Sequence, residues 1–301
     1  MPRGKLTKVT GTILLLIATL IWGSSFVVSK SIIGAIPSGW LVSLRFFIAF
    51  LVMLAVSRRK LSLLNGEYLR RGAVLGLLHG AGMLFQNYGI QYTTAGKSAF
   101  LTAAYCVLVP FVAWLLMKKR PTVRNLIAAL VAIVGIALVS LTERFTMEKG
   151  DYLVLLCSVL FSFHIVYLTI SVGRLDATLL VTVQFLLSGL VTLLFSLLFE
   201  PLPVIRGASA WAGVLYLGIF CTAVALLFQS LSQRVLPPST VSLFLCFEAA
   251  FGAIFSAIFF RETFTARADR LCAHSIRRDR QRMARPQKSA KRPFVTETHR
   301  A

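Results

Sequence analysis

Long apolar stretches joined by short polar links run through the chain from about residue 9 to residue 260. A helix needs roughly 20 mostly apolar residues to cross the hydrocarbon core of a membrane, because backbone groups find no hydrogen-bond partner in lipid. The pattern therefore predicts nine transmembrane helices with no soluble domain between them. Their predicted limits are Val9–Ser29, Trp40–Ser57, Gly72–Gln91, Ser98–Met117, Asn125–Thr142, Tyr152–Ser171, Thr178–Phe199, Trp211–Leu231 and Ser239–Phe260.

The composition supports a membrane protein and excludes a soluble enzyme. Apolar residues make up 57% of the 301-residue chain, charged residues make up 14%, and the mean hydropathy is +0.78. A soluble domain carries about 25% charged residues, so these few charges could not cover its surface in water. The five cysteines include no CxxC pair, and no HxxxH or HxxE motif occurs. We therefore expect neither a disulfide framework nor a metal site.

The distribution of Lys and Arg predicts the orientation in the membrane. With the N-terminus in the cytoplasm, the inside segments carry fourteen Lys and Arg residues and the outside loops carry five, as the positive-inside rule requires. The net charge of +21 thus comes mostly from short loops and the C-terminal tail. That tail lacks the interleaved aromatic residues of a nucleic-acid surface. We expect a lipid bilayer and a small-molecule substrate as partners, and no nucleic acid.

The sequence repeats itself weakly in two closely similar registers. One register relates Trp22–Phe26 to Phe161–Ile165 and Arg45 to Gln184, and the other relates Gln86 to Gln229, Tyr105 to Glu248, Thr122 to Thr265 and Arg124 to Arg267. A unit of five helices crosses the membrane an odd number of times, so its second copy is inverted in the bilayer. Inverted repeats are typical of secondary transporters, whose substrate site lies near the midplane between the halves.

The repeat predicts an all-α membrane protein, a polytopic helical bundle of inverted five-helix repeats. Residues 1–145 form the first unit, residues 146–267 form an incomplete second unit, and residues 268–301 form a basic, disordered, non-native tail. The match fails directly after Arg267, where a tenth helix should follow. One interpretation is a solvated tail that binds anionic lipid headgroups. We favour the other, in which a change of reading frame near Ala268 removed the tenth helix.

Several short motifs lie near the ends of the predicted helices. They are Trp22-Gly-Ser-Ser-Phe26, Leu44-Arg45-Phe46, the segment Gly89–Phe100, Phe247-Glu248 and Arg261-Glu262-Thr263. With these motifs and its repeat, the chain resembles the EamA-domain branch of the drug/metabolite transporter superfamily. The resemblance implies a ten-helix, multi-pass carrier of the cell (inner) membrane that moves small metabolites or amino acids, often outward. The chain departs from the family pattern at Ala249, where proline is frequent, at Lys119, and in its missing tenth helix.

Two charged side chains fall inside the predicted spans, where ionisable groups are costly and functional by default. Glu248, the only carboxylate within a predicted span, could take up a proton, bind a substrate amine, or form a structural hydrogen bond between helices. Arg45 could bind a substrate carboxylate bidentately, or its long side chain could reach the outer headgroups. Glu248 is therefore a candidate for proton coupling and Arg45 a candidate anion anchor, while a structural hydrogen bond for Glu248 and headgroup contact or structural pairing for Arg45 stay open as alternatives.

Polar, uncharged residues predict the remainder of a substrate site. A histidine side chain ordinarily titrates near physiological pH, so His79 and His164 are each a candidate for proton coupling, although a lone histidine among apolar residues is more often a packing residue. The amides of Gln86 and Gln229, at equivalent positions of the two copies, suit a zwitterion or hold helices together. The predicted substrate-binding residues are Trp22, Ser25, His79, Gln86, Thr102, Tyr105, His164, Gln229 and Glu248.

These features favour a secondary transporter, a permease or exporter of small metabolites such as amino acids, that works by alternating access and is coupled to protons. No nucleotide-binding motif occurs, so we expect an ion or substrate gradient as the driving force, and no cofactor. An integral membrane enzyme would need paired acids, a nucleophile with a base, or a metal cluster, which the chain does not supply. A truncated, inactive transporter stays open as the alternative.

Overall fold

The structure is a computed structural model of the chain, and it describes residues 6–118, 120–123, 126, 127, 129–131, 134, 147–205 and 207–260. Within these ranges it is all-helical and contains no strand. The α-helices are α1 (Lys8–Ile32), α2 (Ser38–Ser57), α3 (Gly66–Gln91), α4 (Ala95–Thr102), α5 (Tyr105–Met117), α6 (Lys149–Val172), α7 (Ala177–Phe199), α8 (Ala208–Tyr216), α9 (Ala225–Ser232), α10 (Pro238–Leu245) and α11 (Phe247–Phe260). A 3₁₀-helix, Arg58–Leu63, follows α2, and a π-helix, Leu217–Val224, joins α8 to α9.

Seven helical segments of the described ranges are long and apolar enough to cross a membrane. They are Lys8–Ile32, Ser38–Leu63, Ala95–Met117, Lys149–Val172, Ala177–Phe199, Ala208–Ser232 and Pro238–Phe260. These segments correspond to seven of the nine predicted spans. The prediction of a helical, multi-pass membrane protein is therefore confirmed.

The other two predicted spans have different outcomes. Helix α3 forms over the third span, but its glycines and polar residues make it less apolar than the seven segments. The fifth predicted span, Asn125–Thr142, lies largely outside the described residues, and the predicted tail of residues 268–301 lies entirely outside them. The total of nine spans stays a prediction.

Two predicted spans are each divided by a short turn, which separates α4 from α5 and α10 from α11. In these turns the backbone N–H groups of Cys106 and Ala249 bond to carbonyl groups three residues earlier, at 3.0 and 3.1 Å. This spacing is tighter than that of an α-helix. The apolar pattern predicts continuous helices here because a local turn leaves hydropathy unchanged. The turns place Tyr105 and Glu248 in the first turns of α5 and α11.

One end of the bundle is held by Asp176, which lies between α6 and α7. Its carboxylate accepts hydrogen bonds from the N–H groups of Thr178 and Leu179 and pairs with Lys60 Nζ at 2.8 Å. Its own N–H donates to the hydroxyl of Tyr68, near the start of α3, at 2.9 Å. Burial acts to raise the pKa of Asp176, but the hydrogen bonds from Lys60 and from the α7 backbone outweigh it and lower the pKa. We call this end of the bundle the Asp176 end.

The opposite end is held by Asp151, in the first turn of α6. Asp151 is fully buried and accepts hydrogen bonds from Lys97 Nζ at 2.5 Å and from Thr93 Oγ1 at 2.9 Å. Lys30, at the end of α1, donates to the carbonyl groups of Ile90 and Thr93 at 2.7 and 2.8 Å, which satisfies backbone groups left free where α3 ends. At each end of the bundle, hydrogen bonds of an aspartate thus connect residues before 118 with residues after 147. We call this the Asp151 end.

Glycines allow close contact between helices. Helix α3 packs on α6 and α7, α2 packs on α7, and α1 packs on α9 and α11. Where α3 meets α6, a Cβ atom added to Gly150 would clash with the carbonyl oxygen of Gly89 and lie 2.9 Å from the Cβ atom of Tyr92. Small residues are enriched at such crossings because helices in lipid associate through close packing and not through the hydrophobic effect.

We predict that Gly150→Ala lowers the free energy of unfolding by about 1–3 kcal/mol, because the added methyl group meets backbone that cannot move aside. Gly34→Ala is the matched control, since nothing lies within 4 Å of its Cβ position. Thermal unfolding of both variants in the same detergent measures the difference. Equal melting temperatures for the two variants would contradict the close α3–α6 contact.

Candidate functional site

A cavity lies inside the bundle. It contains about 590 Å³ of empty space, which includes its opening to solvent. Aromatic and aliphatic side chains form most of the wall, with a few polar groups between them. The lining residues are Trp22, Ser25, Phe26, Arg45, His79, Met83, Gln86, Tyr105, Phe161, His164, Ile165, Cys221, Thr222, Leu226, Gln229, Leu245 and Glu248.

Glu248 forms the acidic side of the cavity. Its side chain is buried, and its Oε1 accepts a 2.9 Å hydrogen bond from the Tyr105 hydroxyl. The two turns that divide α4 from α5 and α10 from α11 bring these residues together. Among the described residues, no Lys, Arg or His nitrogen lies within 4 Å of the Glu248 carboxylate. A buried carboxylate with a single neutral donor is able to bind a proton or an amine.

Arg45 forms the basic side of the cavity. Its side chain is 3% exposed and its Nε donates to Thr222 Oγ1 at 3.3 Å, so it turns into the bundle instead of reaching the headgroups. In the part of the chain that the structure describes, no carboxylate lies within 4 Å of the guanidinium. A buried guanidinium without an acidic partner is able to bind an anionic group.

The π-helix Leu217–Val224 presents Thr222 to Arg45. The Thr222 hydroxyl donates to the carbonyl group of Leu217, five residues earlier, at 2.7 Å. In the same segment, the carbonyl group of Cys221 accepts a 2.7 Å hydrogen bond from Trp22 Nε1. π-Helical segments are frequent at functional sites because they turn backbone and side-chain groups out of the regular α-helical pattern. Here the segment forms one wall of the cavity.

His79 and His164 meet in another part of the wall. Their rings stack with centroids 4.8 Å apart, and both side chains are buried. Nε2 of Gln184, a fully buried residue of α7, lies 2.9 Å from His79 Nδ1 and 3.0 Å from His164 Nε2. One amide thus connects helices α3, α6 and α7. The sequence pattern does not predict this contact.

Two glutamines at repeat-equivalent positions also line the cavity. Gln86 Nε2 donates to Thr102 Oγ1 at 3.2 Å. Gln229 is buried, and within the described ranges its side chain makes no hydrogen bond. The amide of Gln229 is therefore able to bind a polar group in the cavity.

Eight of the nine predicted substrate-binding residues line the cavity, together with Arg45, the predicted anion anchor. Thr102 is the exception. It is buried in α4, and its hydroxyl accepts a hydrogen bond from Gln86, which is a lining residue. Helical spacing places Thr102 on one face with Tyr105, but the turn between α4 and α5 interrupts that face. The roles of all nine residues as ligands stay predictions.

Thr222 and Gln184 are site residues that the sequence patterns missed. Their signal lies in the repeat, because Thr222 is the counterpart of His79 in one register and Gln184 is the counterpart of Arg45 in the other. No group of three His, Cys, Asp or Glu side chains suited to a metal ion occurs in the described ranges.

The family of the chain follows from comparison with known proteins. The EamA-like transporter family matches residues 9–141 and again residues 148–268. Because the two matches together cover most of the sequence, the chain belongs to this family, and the resemblance in its motifs is confirmed.

The relatives are transporters as well. An uncharacterized transporter of Archaeoglobus fulgidus is 29% identical over 255 residues, which cover 83% of this chain and 78% of that protein. The uncharacterized transporter YetK of Bacillus subtilis is 24% identical over 278 residues, which cover 82% of this chain and 78% of that protein. A crystal structure with 18% identity covers 94% of this chain and 99% of its own, with a TM-score of 0.71, and therefore has the same fold. Family and relatives together support a membrane transporter.

The Glu248–Tyr105 hydrogen bond has a predicted effect on stability. Glu248→Leu leaves the buried Tyr105 hydroxyl without an acceptor, which costs about 1–3 kcal/mol, whereas Glu248→Gln keeps an acceptor oxygen. We expect Glu248→Leu to melt at a lower temperature in detergent than Glu248→Gln, and Glu248→Gln to melt close to the unmodified protein. If the Leu and Gln variants melt together, the hydrogen bond contributes nothing to stability and the prediction is wrong.

Proposed function

We propose that the protein is a secondary transporter, a permease or exporter, that moves small metabolites such as amino acids across the cell (inner) membrane by alternating access. The observation that carries the proposal is a cavity inside the bundle with Glu248 on one side and Arg45 on the other. The driving force is an ion or substrate gradient, with protons as the coupling ion.

Two inverted units, residues 1–145 and 146–267, build the transporter, and residues 268–301 lie outside both. Most lining residues form pairs related by one of the two registers of the repeat, so that both members of a pair face the same cavity. The pairs are Trp22 and Phe161, Ser25 and His164, Phe26 and Ile165, His79 and Thr222, Met83 and Leu226, Gln86 and Gln229, and Tyr105 and Glu248. This pairing supports two halves related by an axis in the membrane plane, as in other inverted-repeat transporters.

Hydrogen bonds support the same relation. Arg45 bonds Thr222, and Gln184, the counterpart of Arg45, bonds His79, the counterpart of Thr222. A second pair of related hydrogen bonds joins Ser43 to Ser196 and Thr182 to Ser57, at 3.4 and 3.0 Å. Equivalent contacts of this kind are expected when two halves of similar fold face each other.

The charges of the cavity favour a zwitterionic substrate. The guanidinium of Arg45 can bind a carboxylate through two parallel hydrogen bonds, and the carboxylate of Glu248 can bind an amine. The amides of Gln86 and Gln229 can donate to one group and accept from the other. An amino acid carries both charged groups, and its side chain would lie among the aromatic and aliphatic residues of the wall.

Proton coupling centres on Glu248. Its carboxylate is buried in the cavity and has no basic partner among the residues that the structure describes. As the cavity opens to each side in turn, Glu248 can accept a proton on one side and release it on the other. His79 and His164 are the further candidates for proton coupling, because they line the same cavity.

Flux in reconstituted liposomes tests the proposal. We expect the unmodified protein to exchange at least one labelled compound from a panel of amino acids, with a rate that depends on an imposed pH gradient. Glu248→Gln is expected to remove the dependence on pH and to leave the amount of folded protein unchanged. Glu67→Gln, which alters a carboxylate outside the cavity, is the matched control. No exchange of any panel compound would contradict the proposal, and unchanged pH dependence in Glu248→Gln would remove its proton role.

Alternating access requires both ends of the bundle to open in turn. Lys60 with Asp176, and Thr93 with Asp151, join the two units at the Asp176 end and the Asp151 end. We expect a cleavable bifunctional thiol reagent to stop flux in Lys60→Cys/Asp176→Cys and in Thr93→Cys/Asp151→Cys, and we expect a reductant to restore it. The single-cysteine variants are the controls for loss of the ion pair or hydrogen bond. Flux that continues with either bridge in place would exclude alternating access between these ends.

A further inference from the structure

We propose that Gln184 is a positioning residue that determines which nitrogen of each cavity imidazole carries the hydrogen. Gln184 Nε2 lies within hydrogen-bond distance of His79 Nδ1 and His164 Nε2, and the whole side chain is buried. An amide nitrogen has two hydrogens and no acceptor, so Gln184 donates one hydrogen bond to each ring. The two accepting nitrogens are then bare. The ring hydrogens are therefore on His79 Nε2 and His164 Nδ1.

The orientation of the Gln184 amide follows from its buried polar atoms. As placed, both amide hydrogens have acceptors, and the carbonyl oxygen alone lacks a partner among the described residues. The reversed amide would place its oxygen between the two rings, and each ring would then have to donate a hydrogen bond to it. We therefore adopt the placed orientation, in which both amide hydrogens have acceptors.

The surroundings of the two rings favour their neutral forms. The rings of His79 and His164 are stacked, and the guanidinium of Arg45 lines the same cavity. Phe46 and Phe185 pack against His79 with centroids 5.1 and 6.5 Å away and contribute no negative charge. A proton on either ring would place a second cation in this buried group, and the amide nitrogen of Gln184 could not accept a hydrogen bond from it. In the conformation that the structure describes, both rings are therefore neutral imidazoles with defined tautomers at neutral pH.

The consequence is a wall of hydrogen-bond donors. His79 Nε2 and His164 Nδ1 have no acceptor within the described ranges, and both side chains line the cavity. Together with the Arg45 guanidinium, they suit acceptor atoms of a bound molecule, such as carboxylate oxygens. This consequence rests on the proposed transport function, whereas the assignment of the two tautomers does not.

Nitrogen NMR of the full chain in lipid nanodiscs measures the tautomers directly. Histidine is labelled with ¹⁵N and ¹³C, and His274→Gln and His299→Gln leave His79 and His164 as the two labelled rings. Bare and hydrogen-bearing ring nitrogens resonate in separate ranges, and correlations to the ring carbons distinguish Nδ1 from Nε2. We expect His79 with hydrogen on Nε2 and His164 with hydrogen on Nδ1. Free neutral histidine prefers the Nε2–H form, so the result for His164 is the diagnostic one.

Two substitutions at Gln184 extend the test. Gln184→Leu removes the donor, and we expect His164 to lose its Nδ1–H signal and revert to the Nε2–H form. Gln184→Glu replaces the donor with an acceptor, and we expect both rings to carry hydrogen on the nitrogen that faces it. Gln233→Leu is the matched control, because Gln233 is also buried, donates through Nε2, and has an unpartnered Oε1 among the described residues. It is expected to leave both tautomers unchanged.

Three results would overturn the proposal. The first is His164 as Nε2–H, or either ring as an imidazolium, in the unmodified protein at neutral pH. The second is a folded Gln184→Leu or Gln184→Glu protein with the tautomers of the unmodified chain. The third is a change in Gln233→Leu as large as that in the Gln184 variants, which would indicate a general loss of packing. If Gln184→Leu does not fold, the spectra of the unmodified protein and of Gln184→Glu test the proposed tautomers.

Discussion

Polar groups inside an apolar helical bundle obtain no hydrogen bonds from lipid, so they depend on partners from neighbouring helices. Three hydrogen bonds around the cavity meet this constraint. They join Tyr105 to Glu248, Arg45 to Thr222, and His79 to Gln184. Each connects a residue before 118 with a residue after 147. The side chains that hold the two parts of the chain together are therefore the same side chains that line or support the cavity.

This double use of a few polar groups connects stability with the proposed transport. A substrate carboxylate at Arg45 would compete with Thr222, and a substrate amine at Glu248 would compete with Tyr105. Binding would thus exchange a contact between the two halves for a contact with the substrate. A ligand shifts a conformational equilibrium only through contacts that differ between the states. In the proposed mechanism, the cavity supplies such contacts at the boundary between the two halves.

The sequence predicts the helices well because a membrane span needs only length and apolarity, and seven apolar segments correspond to predicted spans. It also predicts much of the cavity wall, since polar residues such as Glu248 and Arg45 are costly in lipid and need a reason to be there. The turns before Tyr105 and Glu248 leave the apolar pattern unchanged, so they could not be predicted. Gln184 was missed because a single amide in a helix carries no sign of the two histidines that it contacts.

The two-sided arrangement of the halves is tested most directly by the topology of equivalent positions. Gly66 begins α3, and Ser209, its counterpart in the register that relates Gln86 to Gln229, lies at the start of α8; both are exposed. Cells that express Gly66→Cys or Ser209→Cys, each with Cys272→Ser, are treated with a membrane-impermeant thiol reagent. The account predicts labelling of Ser209→Cys in intact cells and of Gly66→Cys only after permeabilisation. Labelling of both positions from the same side would contradict an inverted repeat.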